Sequence, residues 1–264
     1  YISRGYITSR AFLTEQDLSQ GQLHLAVMEG KLRDIRLDGE SPRLLAMAFP
    51  GLKDKVLNLR DIEQGMEQIN RVRKEPVQIE VLPDEQPGYS VVNLTAAPEF
   101  PLSLSLGFDN SGQKSTGVGQ VTGSLVANNP LGLADRWFIS GGRSSDFSPT
   151  RDARSLQAGV SVPWGYGLLD YVYSRSDYRS SLDNQGFTWY SRGDSSTHRL
   201  STNWVAFRNG EIKTGPMAGI SHHSSHYYLN DSLLQTSSRQ LSRLQLRVTH
   251  TQKIAGGVAT FNPT

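Results

Sequence analysis

Two spacings of apolar residues divide this chain. Leu59, Ile62, Met66 and Ile69 recur at intervals of three, four and three, which draws one apolar stripe down a helix. From Pro101 onward the period is two. Leu102, Leu104, Leu106 and Phe108 alternate with Ser103, Ser105, Gly107 and Asp109; Ala158, Val160, Val162 and Trp164 alternate with Gln157, Gly159, Ser161 and Pro163. Leu169, Tyr171 and Tyr173 share a face, as do Leu244, Leu246 and Val248 opposite Arg243, Gln245, Arg247 and Thr249. Turn clusters (DNSGQKSTG, NNPLGLAD, SSDFSPTRD, PWGYG, LDNQG, RNGE) separate these runs, so about eight to ten strands are expected.

The helix is well specified at its start. Asn58 is a good N-cap, Asp61 favours the positive helix end, and Leu57 with Ile62 form a hydrophobic staple. Gly65 costs roughly 1 kcal/mol against Ala inside a helix and is tolerable where a neighbour packs close. A shorter helix precedes it, with Ser41 as cap, Pro42 at the first position, then Leu44, Leu45, Met47 and Ala48. Strands bracket both helices: Ile35 and Leu37 in KLRDIRL, Val77, Ile79 and Val81 in PVQIEVL, then Tyr89, Val91, Val92 and Leu94. Strand, helix, helix, strand, strand is enough for a small α+β domain, and the helical stripe is expected to bury against Ile35, Leu37 and the Val77–Val81 strand. Upstream, ISRGYITSRAFL and GQLHLAVMEG read as the last helix turn and closing hairpin of a similar domain.

Composition narrows the classes. Hydrophobic content is 37% and mean hydropathy −0.42, with no apolar run of about twenty residues, so no transmembrane helix is expected. A transmembrane barrel remains open, because it shows only segments of about ten alternating residues. The absence of cysteine removes disulfides, thiol catalysis and Cys-ligated metals. Charge is uneven. Residues 1–100 carry 12 Lys and Arg against 15 Asp and Glu, and residues 101–264 carry 15 against 10, most of the cations being Arg. Pattern alone fits either a barrel in lipid or a soluble β domain. The Arg-, Gln-, Ser- and Thr-rich polar face suits a wet lumen, and Trp137, Trp164, Tyr166, Tyr171, Trp189, Tyr190 and Trp204 lie near predicted strand ends, where an aromatic girdle sits.

Several stretches, TSRAFLTEQDLSQGQLHLAVMEG, AFPGLKDKVLNLRDIEQGMEQINR, GFDNSGQKSTG and ANNPLGLADR, resemble the transporter subunits of two-partner secretion, the exporters of haemolysins, adhesins and contact-dependent growth-inhibition toxins. The likeness covers nearly all of the chain and weakens beyond Asp146. It implies α+β POTRA domains in the periplasm followed by an antiparallel transmembrane β-barrel in the bacterial outer membrane, incomplete in this chain. On that basis residues 1–30 are the end of a first POTRA domain, 31–99 a second, and 100–264 the N-terminal part of the barrel. A plug helix and the start of the first POTRA domain would precede Tyr1, and the lumen loop and last strands would follow Thr264. Arg4-Gly5-Tyr6 is distinct from the motif of that loop. The implied function is export of a large β-helical partner protein, recognised through its N-terminal secretion domain, without ATP. Alternatives are an assembly factor of the same superfamily, or a non-transport barrel, either porin or enzyme.

In POTRA domains the middle strand in sequence, here Pro76–Leu82, lies at a sheet edge, and an edge offers unpaired N–H and C=O groups to an extended client. Client binding is therefore expected at Gln78, Ile79 and Glu80, beside a polar helix face carrying Gln64, Gln68 and Arg71; ordinary solvated side chains are the other reading. Arg243, Gln245 and Arg247 are expected to line the pore, with the Leu102, Leu104, Leu106, Leu244, Leu246 and Val248 set facing lipid. No catalytic group, metal, cofactor or nucleic-acid site is expected. His222, His223 and His226 do not converge on one point in a strand, Arg192-Gly193-Asp194 reads as a chance tripeptide in a polar loop, and Gly117, Gly119 and Gly123 lack a βαβ unit.

Overall fold

The computed structural model describes residues 2–16, 19, 21–254 and 256–263. After a 3-10 turn at Ile2–Arg4, β1 (Arg10–Leu13) and β2 (Leu25–Met28) form an antiparallel hairpin whose apolar residues are largely exposed. Next come β3 (Lys31–Leu37), α1 (Pro42–Ala48), α2 (Leu59–Asn70), β4 (Gln78–Pro83) and β5 (Tyr89–Thr95), in the order expected. Their sheet runs β3-β5-β4, with β3 parallel and β4 antiparallel to the centre, so β4 is an edge.

Both helix caps form as the sequence dictates: Ser41 accepts from the Arg43 amide and Asn58 from the Arg60 amide. Ile62 and Ile69 are fully buried, Met66 partly so, and they join Leu37, Leu44, Leu57, Val77, Val92 and Leu94 in the core. Gly65 has a specific reason. A Cβ there would sit 2.0 Å from the Phe49 ring, so glycine lets the end of α1 pack directly on α2. Leu32 joins the core as well, although it is out of step with Ile35 and Leu37. An irregularity in the pairing between Leu32 and Asp34 shifts the face by one residue.

The remaining strands are β6 (Leu102–Asp109), β7 (Gln120–Asn128), β8 (Arg136–Ser144), β9 (Asp152–Trp164), β10 (Gly167–Asn184), β11 (Phe187–Trp204), β12 (Phe207–Arg208), β13 (Ile212–Leu229), β14 (Ser232–Leu233), β15 (Arg239–Ile254) and β16 (Gly257–Phe261). Apart from the short β12 and β14, which pair only with β13, they follow one another antiparallel in a single open sheet from β6 to β16.

Register shows what each face is for. Leu102, Ala127, Trp137, Val160, Tyr171, Leu200, Ile220 and Leu244 stand opposite one another across eight successive strands. On the other face the corresponding row is Phe138, Gly159, Val172, Arg199, Ser221 and Arg243, and a neighbouring row is Arg136, Ser161, Asp170, Ser201, Gly219 and Gln245. The apolar face is open: Leu104 and Leu244 are each 71% exposed. No second layer covers it among the described residues. A soluble sandwich would bury this face, so the sandwich reading is overturned. This exposed apolar face is the one expected to meet lipid, and Arg243, Gln245 and Arg247 stand on the opposite, polar face. Trp137, Trp164 and Trp204 lie at one end of the apolar face, and Trp164 and Trp204 flank Gly167, where any side chain would strike the Trp204 ring. Tyr190 lies at the far end, and Trp189 falls on the opposite face.

Candidate functional site

The polar side of α2 is not solvated, which corrects the expectation of an open helix face beside β4. Gln64 and Gln68 are buried. Gln68 Nε2 donates to the carbonyls of Gly165 (2.9 Å), in the turn between β9 and β10, and of Gly167 (3.3 Å), at the start of β10. Gln64 Oε1 accepts from Arg208 Nη1 at 2.7 Å. Arg71 donates to Ser161 Oγ (2.5 Å) and to the Ala134 carbonyl (2.7 Å), so it reaches the side of β9 away from lipid. These three residues hold the helix to the barrel wall. The physical reason is complementarity of backbone and side chain: a tight turn buried under a helix exposes carbonyls, and glutamine amides satisfy them.

Around that contact lies a second set to which the sequence reading gave no role at this contact. Tyr166 Oη donates to Asp61 at 2.5 Å. Burial, then that hydrogen bond, pushes the phenol above its ordinary value, so it stays protonated. Tyr166 thus belongs to this contact and not to the girdle. Glu67 bonds Arg208 (2.5 Å) and Lys213, and Glu63 pairs with Arg60 at 2.7 Å. Burial works to raise the Glu67 carboxyl, and hydrogen bonds from Lys213 and Arg208 outweigh it, leaving the group below its ordinary value. The Gly165 amide donates to the Met47 carbonyl at 2.8 Å, with φ of +52° at Gly165 and Pro50 where its side chain would be. The turn between β7 and β8 is built by Asp135, which accepts from the amides of Leu131 and Leu133 and from Trp137 Nε1. Glu40 joins the two parts again, accepting from Arg73 (2.7 Å) and from Asn129 Nδ2 (3.2 Å). Turn signals marked these segments in the sequence, but nothing local identified their partner.

The edge strand lies apart from this contact. Gln78 and Glu80 are exposed, Ile79 is 37% exposed, and β4 pairs only with β5. Its observed bounds are shifted from the expected Pro76–Leu82, because the Val77 amide donates to Asn70 Oδ1 at the end of α2. The six expected client contacts therefore separate into an open edge and a buried docking face.

On the sheet face away from lipid, Ser105, Thr122, Ser140, Gly142, Ser155 and Ser174 line a shallow groove of about 550 Å³, a smooth wall of small polar groups. Tyr178 and Tyr227 cover Gly193, with ring centroids 6.4 Å apart. Arg192-Gly193-Asp194 is thus part of β11, not a loop. His223 and His226 stand on opposite faces, bonded to Thr197 (2.8 Å) and Asp194 (3.2 Å) respectively. Gly117 lies in the loop before β7 with φ of +114°, a turn position.

Comparison with known proteins agrees with this architecture. Residues 88–264 match the family model for haemolysin secretion/activation protein ShlB/FhaC/HecB, residues 31–83 a POTRA domain and residues 1–30 a ShlB-type POTRA domain. The chain is 62% identical to the outer membrane transporter CdiB of Escherichia coli, across all of this chain and 45% of that protein. It is 54% identical to the outer membrane transporter CdiB of Dickeya dadantii (strain 3937), across all of this chain and 47% of that one. The solved structure of CdiB from Escherichia coli superposes with a TM-score of 0.95 at 61% identity, covering 99% of this chain and 49% of that one. The chain spans about half the length of the curated relatives it matches.

Proposed function

The chain belongs to the haemolysin secretion/activation protein family, and on that premise we propose that it supplies the receptor domain and part of the pore wall of an exporter. Such a protein sits in the outer membrane with its POTRA domains in the periplasm. Its client in this reading is a large secreted β-helical partner, a haemolysin, adhesin or growth-inhibition toxin, met through an N-terminal secretion domain. The division is 1–30 for the end of one POTRA domain, 31–99 for the next and 100–264 for the barrel wall. The work is binding and passage. No step calls for catalysis, a cofactor or nucleic acid, and one face of the wall meets lipid.

The observation that carries this reading is the fastening of a domain with a free strand edge, through α2, to the turns at one end of a lipid-facing sheet. Gln78, Ile79 and Glu80 on that edge can pair with an extended chain through backbone groups, which requires little side-chain selectivity. Gln64, Gln68 and Arg71 act by holding the receptor at the mouth. Arg243, Gln245 and Arg247 keep the passage wet, beside a wall of serine, threonine and glycine that leaves room for a moving backbone.

The test compares Gln78→Pro and Ile79→Pro in the full-length transporter, because adjacent amides of an antiparallel edge alternate between facing β5 and facing outward. The outward one of the two is expected to fold and to lose binding to the client's secretion domain in calorimetry, with secretion lost in cells. Wild-type binding by the folded variant would remove this edge as the capture site.

A further inference from the structure

Beyond the apolar band, the lipid-facing side changes character. Outward positions of β8 to β11 carry Arg143, Arg154, Arg175, Arg179 and Arg192 against Asp152, Asp177, Asp183 and Asp194, five guanidiniums to four carboxylates. Arg143 and Arg154 stand directly opposite one another, a pairing that is unfavourable for like charges. Asp152, its side chain only 3% exposed, holds them together: Oδ2 accepts from Arg143 Nη2 at 2.9 Å and from Arg154 Nε at 2.8 Å. Arg175 lies opposite Leu156 and Ser196, is exposed, and has no ion pair among the described residues.

Height decides what these cations meet. Trp164 and Arg154 share the outward face of β9, ten residues apart. That is about 33 Å along the strand and about 25 Å along the membrane normal at a ~40° tilt, close to the ~25 Å apolar band of an outer-membrane barrel. Trp164 is at the end held by the POTRA domain, so Arg154 lies at the opposite, outer-leaflet interface. Further down the same face, beginning at Ala158 four residues below Arg154 on β9, Trp137, Ile139, Ala158, Val160, Tyr171 and Tyr173 line an apolar groove of about 350 Å³. Tyr173 packs against His198, ring centroids 4.9 Å apart with the planes tilted by 44°, just beneath Arg175.

We propose that this rim is a binding site for the phosphate groups of an outer-leaflet glycolipid, with Arg154 and Arg175 as phosphate ligands and the groove taking an acyl chain. Guanidinium groups match phosphate oxygens two at a time, and long stems reach from apolar wall to headgroup level. Asp152 preorganises Arg143 and Arg154, with Asp177 a further 4.0 Å from Arg154 Nε, and Arg175 supplies an uncommitted fork.

The experiment uses the full-length protein in detergent, its folding checked by heat-modifiable mobility, and measures retention of bisphosphorylated lipid A by native mass spectrometry. Arg175→Gln, which disturbs no partner, is expected to weaken lipid A binding about tenfold and Arg175→Gln with Arg179→Gln further, with Arg175→Lys recovering part. Dephosphorylated lipid A should bind weakly and equally to all forms. Unchanged lipid A binding by Arg175→Gln, equal binding of the dephosphorylated lipid, or displacement of lipid A by millimolar inorganic phosphate would each overturn the site.

Discussion

Gln68 Nε2 donates a 2.9 Å hydrogen bond to the carbonyl of Gly165, a residue 97 positions further along the chain. The bond lies at the centre of the contact that makes one body of receptor domain and barrel wall. Replacing Gln68 by Ala removes the Gly167 side-chain donor and leaves the Gly165 carbonyl only the longer 3.5 Å bond from Gln64 Nε2, at a cost of about 1–3 kcal/mol. The expected outcome in the full-length transporter is a POTRA segment released sooner by limited proteolysis, with the heat-modifiable barrel unchanged. A proteolysis pattern identical to wild type would show that the contact does not depend on this bond.

The ion pairs beside it carry a pH dependence. The folded protein holds the Glu67 carboxyl below its ordinary 4.5, so its contribution is fully present above that value. The contribution is lost as pH falls through the lower, folded value, when Arg208 and Lys213 lose their anionic partner. Amide exchange around Gly165 and Tyr166 should therefore be protected at neutral pH and should open in acid, more steeply than in Glu67→Gln. Identical acid profiles for the two proteins would assign the opening to another group.

Within the POTRA core, Ile62 is 1% exposed, so Ile62→Ala should cost about 2–5 kcal/mol, read as a lower denaturant midpoint for that domain. Gly65→Ala opposes two effects. Helix propensity favours alanine by roughly 1 kcal/mol, whereas a methyl 2.0 Å from the Phe49 ring forces repacking that costs typically about 1–3 kcal/mol. Because the ring is held between two helices, the clash should win and the variant should be less stable. A higher midpoint for Gly65→Ala would show that α1 yields easily.

On the barrel wall, adjacent residues should respond oppositely. Leu244→Arg places a charge on the lipid face and should destabilise the folded barrel by about 2–4 kcal/mol in urea titrations within lipid vesicles if it lies near the midplane. Arg243→Ala, on the wet face, should leave the barrel folded and alter the conductance of the pore in planar bilayers. Equal destabilisation by both changes would mean that the faces are assigned wrongly.

The sequence by itself determined the local structure and its two faces. A cap at Asn58, a stripe at intervals of three and four, and alternation from Leu102 onward are satisfied within a turn of helix or a strand pair, so neighbouring residues suffice to specify them. Near neighbours also placed Leu244 and Arg243 on opposite sides. Only the tertiary structure decided what covers each polar surface. Gln64, Gln68 and Arg71 read as an open, client-binding helix face because their partners, Gly165, Ala134, Ser161 and Arg208, lie 63 to 144 residues away in the chain. Tyr166 likewise has the composition of a girdle residue and the contacts of a docking residue, and Leu32 enters the core through an irregular pairing that no alternation announces. Period and propensity act over a few residues, whereas a carbonyl left bare by a buried turn is satisfied by whichever donor the fold brings to it.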